Sequence, residues 1–152
     1  MVDWALEVTR LEECAGTYVE NLSGGQRQRV WIAMALTQRT PIILLDEPTT
    51  YLDLAYQLEI MELLEELNRC HQTTIVMVLH DLNLAARFAD YMIAMRDGRL
   101  VCHGTPVEVM RTEVLRETFH INATIVTDNQ SKKPTLLTYH LIQNTEEIER
   151  GA

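Results

Sequence analysis

Lysine is almost missing from this 152-residue chain: Lys132 and Lys133 are the only two, and Lys and Arg together number 13 against 22 Asp and Glu. The formal net charge of -9 excludes the broad basic surfaces that hold nucleic acid or anionic lipid, so no nucleic-acid partner is expected. No apolar run approaches the ~20 residues that span a bilayer, which leaves no direct membrane insertion. Met1-Val-Asp-Trp-Ala-Leu-Glu7 likewise lacks the basic-then-apolar layout of a secretory leader. The cysteines, Cys14, Cys70 and Cys102, are odd in number and follow no framework spacing, which suits a reducing cytosol. Cys70-His71 and Cys102-His103 are adjacent pairs, whereas closed zinc sites space their ligands roughly two to four apart.

No internal repeat, low-complexity tract or Pro/Gly/Ser linker divides the chain. Its 47% hydrophobic and 23% charged residues are those of a soluble globular protein, long enough for one ordinary domain or part of a larger one. Residues 3 to 14 set Leu6, Val8 and Leu11 among charges at helical spacing, which predicts a short surface helix. Ser23 with Gln26 forms a Ser-x-x-Gln capping box, opening a helix to about Thr37.

Ile42-Ile-Leu-Leu45, bounded by Pro41 and Asp46-Glu-Pro48, reads as a parallel strand buried on both faces. Residues 54 to 68 place Tyr56, Ile60, Leu63, Leu64 and Leu67 on one helical face with Glu59, Glu62, Glu65 and Glu66 outside. A second strand follows from Thr73 to Leu79, then a helix over Leu82 to Phe88. This strand-helix-strand order predicts an α/β fold with a parallel crossover, in which ligand groups collect at the carboxyl ends of the strands. Asp97-Gly98 marks a tight hairpin, Thr105-Pro-Val-Glu108 starts another helix, and alternation over Ala123 to Thr127 and Thr135 to Ile142 predicts a C-terminal β-hairpin before an acidic end.

Several residues at these positions carry chemistry. Gly24 and Gly25 at a helix start have no side chains to keep a phosphate away, Ser23 adds a hydroxyl, and the helix dipole contributes partial positive charge. The same residues could equally form only a cap and a turn, and Arg27 and Arg29, one turn further in, could be no more than solvated charges. Asp46 at a strand end suits the water shell of a hard cation, or a turn. Glu47 could polarise a water as a general base, or stand in a solvated loop. His80 at the next strand end could contact a terminal phosphate, or be merely exposed. Asp53 is a natural N-cap for the 54 to 68 helix.

In this order, Leu22-Ser-Gly-Gly-Gln26, Ile42-Ile-Leu-Leu-Asp-Glu47, Tyr51-Leu-Asp53 and His80 resemble the signature motif, Walker B strand, D-loop and switch histidine of ATP-binding-cassette (ABC) proteins. The resemblance covers about residues 1 to 110. It implies a P-loop NTPase-like α/β fold divided into part of a helical subdomain (1–40), part of the RecA-like core (41–120) and a C-terminal hairpin and tail (121–152). ATP and Mg²⁺ are the implied cofactors, with Asp46 holding the metal through water, Glu47 and His80 catalytic, and Asp53 at a dimer interface. Ser23, Gly24, Gly25 and Gln26 are expected to bind the γ-phosphate of ATP carried by a second protomer in a head-to-tail dimer.

A Gly-x-x-x-x-Gly-Lys-Ser/Thr loop, its strand and the glutamine loop of that family do not occur in these residues. Two expectations follow: the chain alone binds ATP poorly and does not hydrolyse it, and the 42 to 45 strand leaves apolar edge surface that favours aggregation or a partner. A fragment or truncated product is the leading expectation. The Asp-Gly hairpin and the segment from His103 to Val109 look like importer subunits serving iron-siderophore, haem or cobalamin permeases. Those imply a cytoplasmic location at the inner membrane face, on transmembrane permease subunits. The alternatives are a non-catalytic module lending a signature motif in trans and a soluble ABC-type ATPase outside transport, which the acidic balance disfavours.

Overall fold

A computed structural model of the chain describes residues 1–142; the expected acidic end beyond them lies outside the described residues. The chain forms two compact units that divide at His80/Asp81.

The first unit begins with helix α1 (Val2–Val8), two single 3₁₀ turns (Glu12–Cys14 and Val19–Asn21) and helix α2 (Gly24–Thr37). The helix expected over residues 3 to 14 stops early. The hydroxyl of Thr9 turns back to the Ala5 carbonyl at 2.7 Å, and Arg10 adopts a left-handed φ of 56° that no α-helix continues through. Strand β1 (Ile42–Asp46), helix α3 (Leu54–His71) and strand β2 (Thr74–Val78) complete the unit. The strands pair in parallel from Ile42 opposite Thr74 to Asp46 opposite Val78, with α3 as the crossover.

Helix α3 carries the core. Ile60, Met61, Leu63, Leu64 and Leu67 are buried together with Leu11, Ile32 and Leu36, while every glutamate expected outside is exposed. Arg29 is not a free surface charge: its side chain is 15% exposed, pairs with Glu59 on α3, and reaches the Thr9 carbonyl at the end of α1.

The expectation that Ile42–Leu45 is buried on both faces is corrected. Ile43 is 3% exposed, but Ile42 and Leu44 are 52% and 75% exposed, so only alternate residues face the core. The parallel register explains the pattern, because paired residues share a face. Ile42, Leu44, Val76 and Val78 all open on one face, with Thr74 and Asp46 among them. Among the described residues nothing covers that face, so the apolar surface expected at the strand's edge is found on the sheet's face instead.

The second unit comprises helix α4 (Leu82–Phe88), the antiparallel hairpin β3 (Met92–Arg96) and β4 (Arg99–Gly104), helices α5 (Pro106–Val109) and α6 (Thr112–Phe119), and the antiparallel hairpin β5 (Ile121–Thr127) and β6 (Pro134–Leu141). Asp97 and Gly98 both have positive φ, 49° and 73°, as a tight two-residue turn demands. Ala86, Met110, Leu115 and Ile121 form one core cluster, and Ala94, Val109 and Val114 another.

Candidate functional site

All the residues expected to do chemistry fall in the first unit. At the start of α2, the Ser23 hydroxyl accepts from the Gln26 amide at 3.2 Å, and the Gln26 side-chain oxygen accepts from the Ser23 amide at 2.9 Å. The capping box satisfies those two donors and leaves the N–H groups of Gly24 and Gly25 without a backbone partner at the positive end of the helix dipole. Ser23 accepts in this cap with a lone pair, so its own proton is free for an anionic oxygen. Gly24 is open to solvent whereas Gly25 is buried against the ring of Tyr56, and the Gln26 side-chain nitrogen also reaches Cys14 Sγ at 3.4 Å.

Strand β1 ends at Asp46, whose carboxylate is exposed, and the chain then turns sharply. Glu47 has a φ of 48°, a left-handed conformation that costs a non-glycine residue about 1–2 kcal/mol. Two bonds hold it there: its amide donates to the Val78 carbonyl at 3.2 Å, carrying the β1–β2 ladder one step further, and its carbonyl accepts from the Thr50 amide at 3.2 Å. Strain of this kind gathers where a side chain must be aimed.

The Glu47 carboxylate is gripped at both oxygens. Oε1 lies 2.5 Å from Nε2 of His80, and Oε2 accepts from the Thr50 hydroxyl at 2.9 Å. The hydrogen bond with His80, and after it that with Thr50, hold the Glu47 carboxyl below the usual carboxylate range. At neutral pH it is therefore ionised and can only accept, which sets a proton on Nε2 of His80. The His80 side chain is 73% exposed and that of Glu47 37%, so the pair stands open to a ligand at the carboxyl ends of two parallel strands. A fixed carboxylate beside an N–H donor can take a proton from water while the donor faces developing negative charge.

Tyr51 follows with a φ of 65° and a fully exposed ring, and Asp53 caps α3 by accepting from the Tyr56 amide at 3.1 Å. The cap reading of Asp53 is thus satisfied by geometry. Among the described residues no group of three or more His, Cys, Asp or Glu could cage a metal. A lone exposed Asp46 fits an ion shared with water and phosphate oxygens, as Mg²⁺ prefers. Thr50 escaped the sequence reading. Thr50 stands three residues after Glu47, the reach of a turn, yet nothing in Pro48-Thr-Thr50 singles out its hydroxyl.

Residues 1–50 match the family model described as ABC transporter. The chain is 57% identical over 148 residues to the iron(3+)-hydroxamate import ATP-binding protein FhuC of Bacillus subtilis, covering 97% of this chain and 55% of that protein. It superposes on an ABC transporter in an inward-facing conformation with a TM-score of 0.80 at 29% identity, over 90% of this chain and 55% of the other. A dimeric post-hydrolysis structure of the ATP-binding cassette MJ0796, bound to ADP and Pi, superposes with a TM-score of 0.58 at 43% identity, over 67% of this chain and 44% of that one. The chain thus spans about half the length of the relatives it matches. With its motifs in family order on an α/β fold of parallel strands, the chain belongs to the ABC transporter ATP-binding family.

Proposed function

We propose that the chain is the part of an ABC importer's ATP-binding subunit that lends the signature motif and the hydrolytic pair, coupling ATP hydrolysis to uptake of an iron-siderophore-like substrate. The observation that carries this reading is the contact of Glu47 with His80 at adjacent strand ends, in the same unit as the uncapped amides of Gly24 and Gly25. The import of iron(3+)-hydroxamate named for FhuC supports the substrate class.

In this reading Ser23, Gly24, Gly25 and Gln26 receive the γ-phosphate of ATP held by a second protomer, as the dimeric state named for the MJ0796 structure supports. Glu47 takes a proton as water attacks the γ-phosphorus and the bond to ADP breaks, giving ADP and phosphate. His80 directs its Nε2 proton at the charge that develops on the phosphoryl oxygens. Asp46 would hold Mg²⁺ through its water ligands, and the ion would neutralise phosphate charge. Asp53 joins its capping role to a contact across the dimer. No helix among the described residues is long and apolar enough to cross a membrane. The subunit works from the cytoplasm, held at the inner membrane face by permease subunits.

A hybrid FhuC in which this chain replaces the matched segment tests the reading. The hybrid is expected to hydrolyse ATP with Mg²⁺ and to restore iron-hydroxamate uptake, while Glu47→Gln stops turnover and traps an ATP-bound dimer. Unchanged turnover in Glu47→Gln would remove Glu47 from its role. Uptake without measurable ATP turnover would sink the reading as a whole. Micromolar ATP affinity and turnover by the 152-residue chain alone would refute the division of labour between protomers.

A further inference from the structure

A carboxylate that serves as a base must present one oxygen along one direction, and the Glu side chain has three rotatable bonds with which to lose it. In the first unit the Glu47 carboxylate is pinned at two points, one of them the hydroxyl of Thr50. We propose that Thr50 is a positioning residue for hydrolysis, its hydroxyl fixing Oε2 of Glu47 so that Oε1 keeps its aim when a ligand draws His80 away. This rests on the function proposed above and adds to it a residue that touches neither substrate nor water.

The two holds differ in what can release them. His80 is 73% exposed on its side chain and reaches Glu47 from beyond the carboxyl end of the neighbouring strand. Once a phosphate competes for its Nε2 proton, its bond to Oε1 is lost and that oxygen becomes free for water. Thr50 reaches Glu47 from within the same turn: its amide donates to the Glu47 carbonyl at 3.2 Å while its hydroxyl donates to Oε2 at 2.9 Å. Backbone and side chain of Thr50 therefore hold the backbone and side chain of Glu47 as one piece. The turn is anchored below by Pro48 and Thr49, both buried, and by the Glu47 amide on the Val78 carbonyl. A ligand at the strand ends has no need to break this hold. Donation from Thr50 also takes electron density from the carboxylate, so any gain from the bond is in geometry and not in base strength.

Thr50→Val removes the hydroxyl and keeps the shape, and Thr50→Ser restores the hydroxyl on a smaller side chain. Two measurements decide the matter. In the 152-residue chain carrying His80→Ala, which takes away the other hold on Glu47, three-bond couplings report the Glu47 rotamer. A single rotamer in the parent and in Thr50→Ser, with averaging in Thr50→Val, is expected; an unaveraged Glu47 in Thr50→Val overturns the proposal. In the hybrid FhuC, Thr50→Val is expected to lower kcat by about one to two orders of magnitude with the KM for ATP unchanged, and Thr50→Ser to recover kcat. Parent-level kcat in Thr50→Val, or equal losses in Val and Ser, overturns it as well. A hybrid that binds ATP but never hydrolyses it defeats the proposed function, and the Glu47 couplings then decide the positioning role by themselves.

Discussion

Nε2 of His80 lies 2.5 Å from Oε1 of Glu47, and this contact ties together the carboxyl ends of β1 and β2. It is the first cause of the lowered Glu47 pKa, ahead of the Thr50 hydroxyl. His80→Ala should therefore raise the Glu47 carboxyl toward its ordinary 4.5, read from side-chain ¹³C shifts against pH. A carboxyl whose pKa is lowered on folding adds stability that is present above the unfolded value and lost as pH falls through the folded one. His80→Ala should weaken that dependence below about pH 4.5, leaving the part due to Thr50, while costing the hybrid FhuC roughly 10²-fold or more in kcat. A Glu47 titration unmoved by the substitution would show the contact to be too weak for the role.

The two glycines of the signature segment face different neighbours. A Cβ on Gly24 would meet Leu52 at 3.6 Å, an ordinary contact, whereas a Cβ on Gly25 would press on the Tyr56 ring at 3.0 Å. Gly24→Ala should change stability by less than about 1 kcal/mol, and Gly25→Ala should lower it by roughly 1–3 kcal/mol as α2 and the ring are forced apart. Trp4 and Trp31 both lie in the first unit, so urea titration followed by tryptophan emission isolates the effect. In the hybrid both substitutions should depress turnover, Gly24→Ala because its methyl group stands where the phosphate approaches. Equal urea midpoints for the two variants would refute the packing argument.

What the sequence made legible were features whose cause is local. Both capping boxes, Ser23 with Gln26 and Thr105 with Glu108, occur as read, and so does the Asp97-Gly98 turn. The parallel pairing of β1 with β2 followed from strand, helix and strand in sequence. Helix ends were harder to read. Helix α3 runs to His71 and stops at Gln72, and α6 stops at His120, both in left-handed conformations without a glycine to announce them. The helix starting at Pro106 breaks at Met110 and restarts at Thr112, and the burial of Val109, Met110, Val114 and Leu115 on both sides hides the break. Apolar residues in a row made β1 look buried on both faces. Burial depends on what lies above a strand, which the strand's own residues do not record.

The same logic of close neighbours governs the loop before α5. The Thr105 amide donates to Oε2 of Glu108 at 2.7 Å and the Thr105 hydroxyl at 2.8 Å, and these bonds, the amide's first, hold the Glu108 carboxyl below its usual 4.5. The stability they bring is present above about pH 4.5 and is lost as pH falls through the lowered value. Glu108→Gln keeps an acceptor in the box but cannot titrate, so the acid loss of protection should flatten. Gly104 has a φ of 153°, and a Cβ there would stand 2.5 Å from Oε2 and 3.1 Å from the Cβ of Glu108. Gly104→Ala must therefore evict the carboxylate, losing its bonds to Thr105 and adding roughly 1–3 kcal/mol of backbone strain. Gly98 has a φ of 73° with nothing within 4 Å of such an atom, so Gly98→Ala meets the strain alone and keeps the box. Amide exchange at Val109 and Met110, measured from pH 7 down to pH 3, separates the cases. Gly98→Ala should lower protection evenly and retain the acid limb, whereas Gly104→Ala should lower it further at neutral pH and lose the limb. The same pH profile in both variants would mean that the Gly104 contact with Glu108 does not control the box.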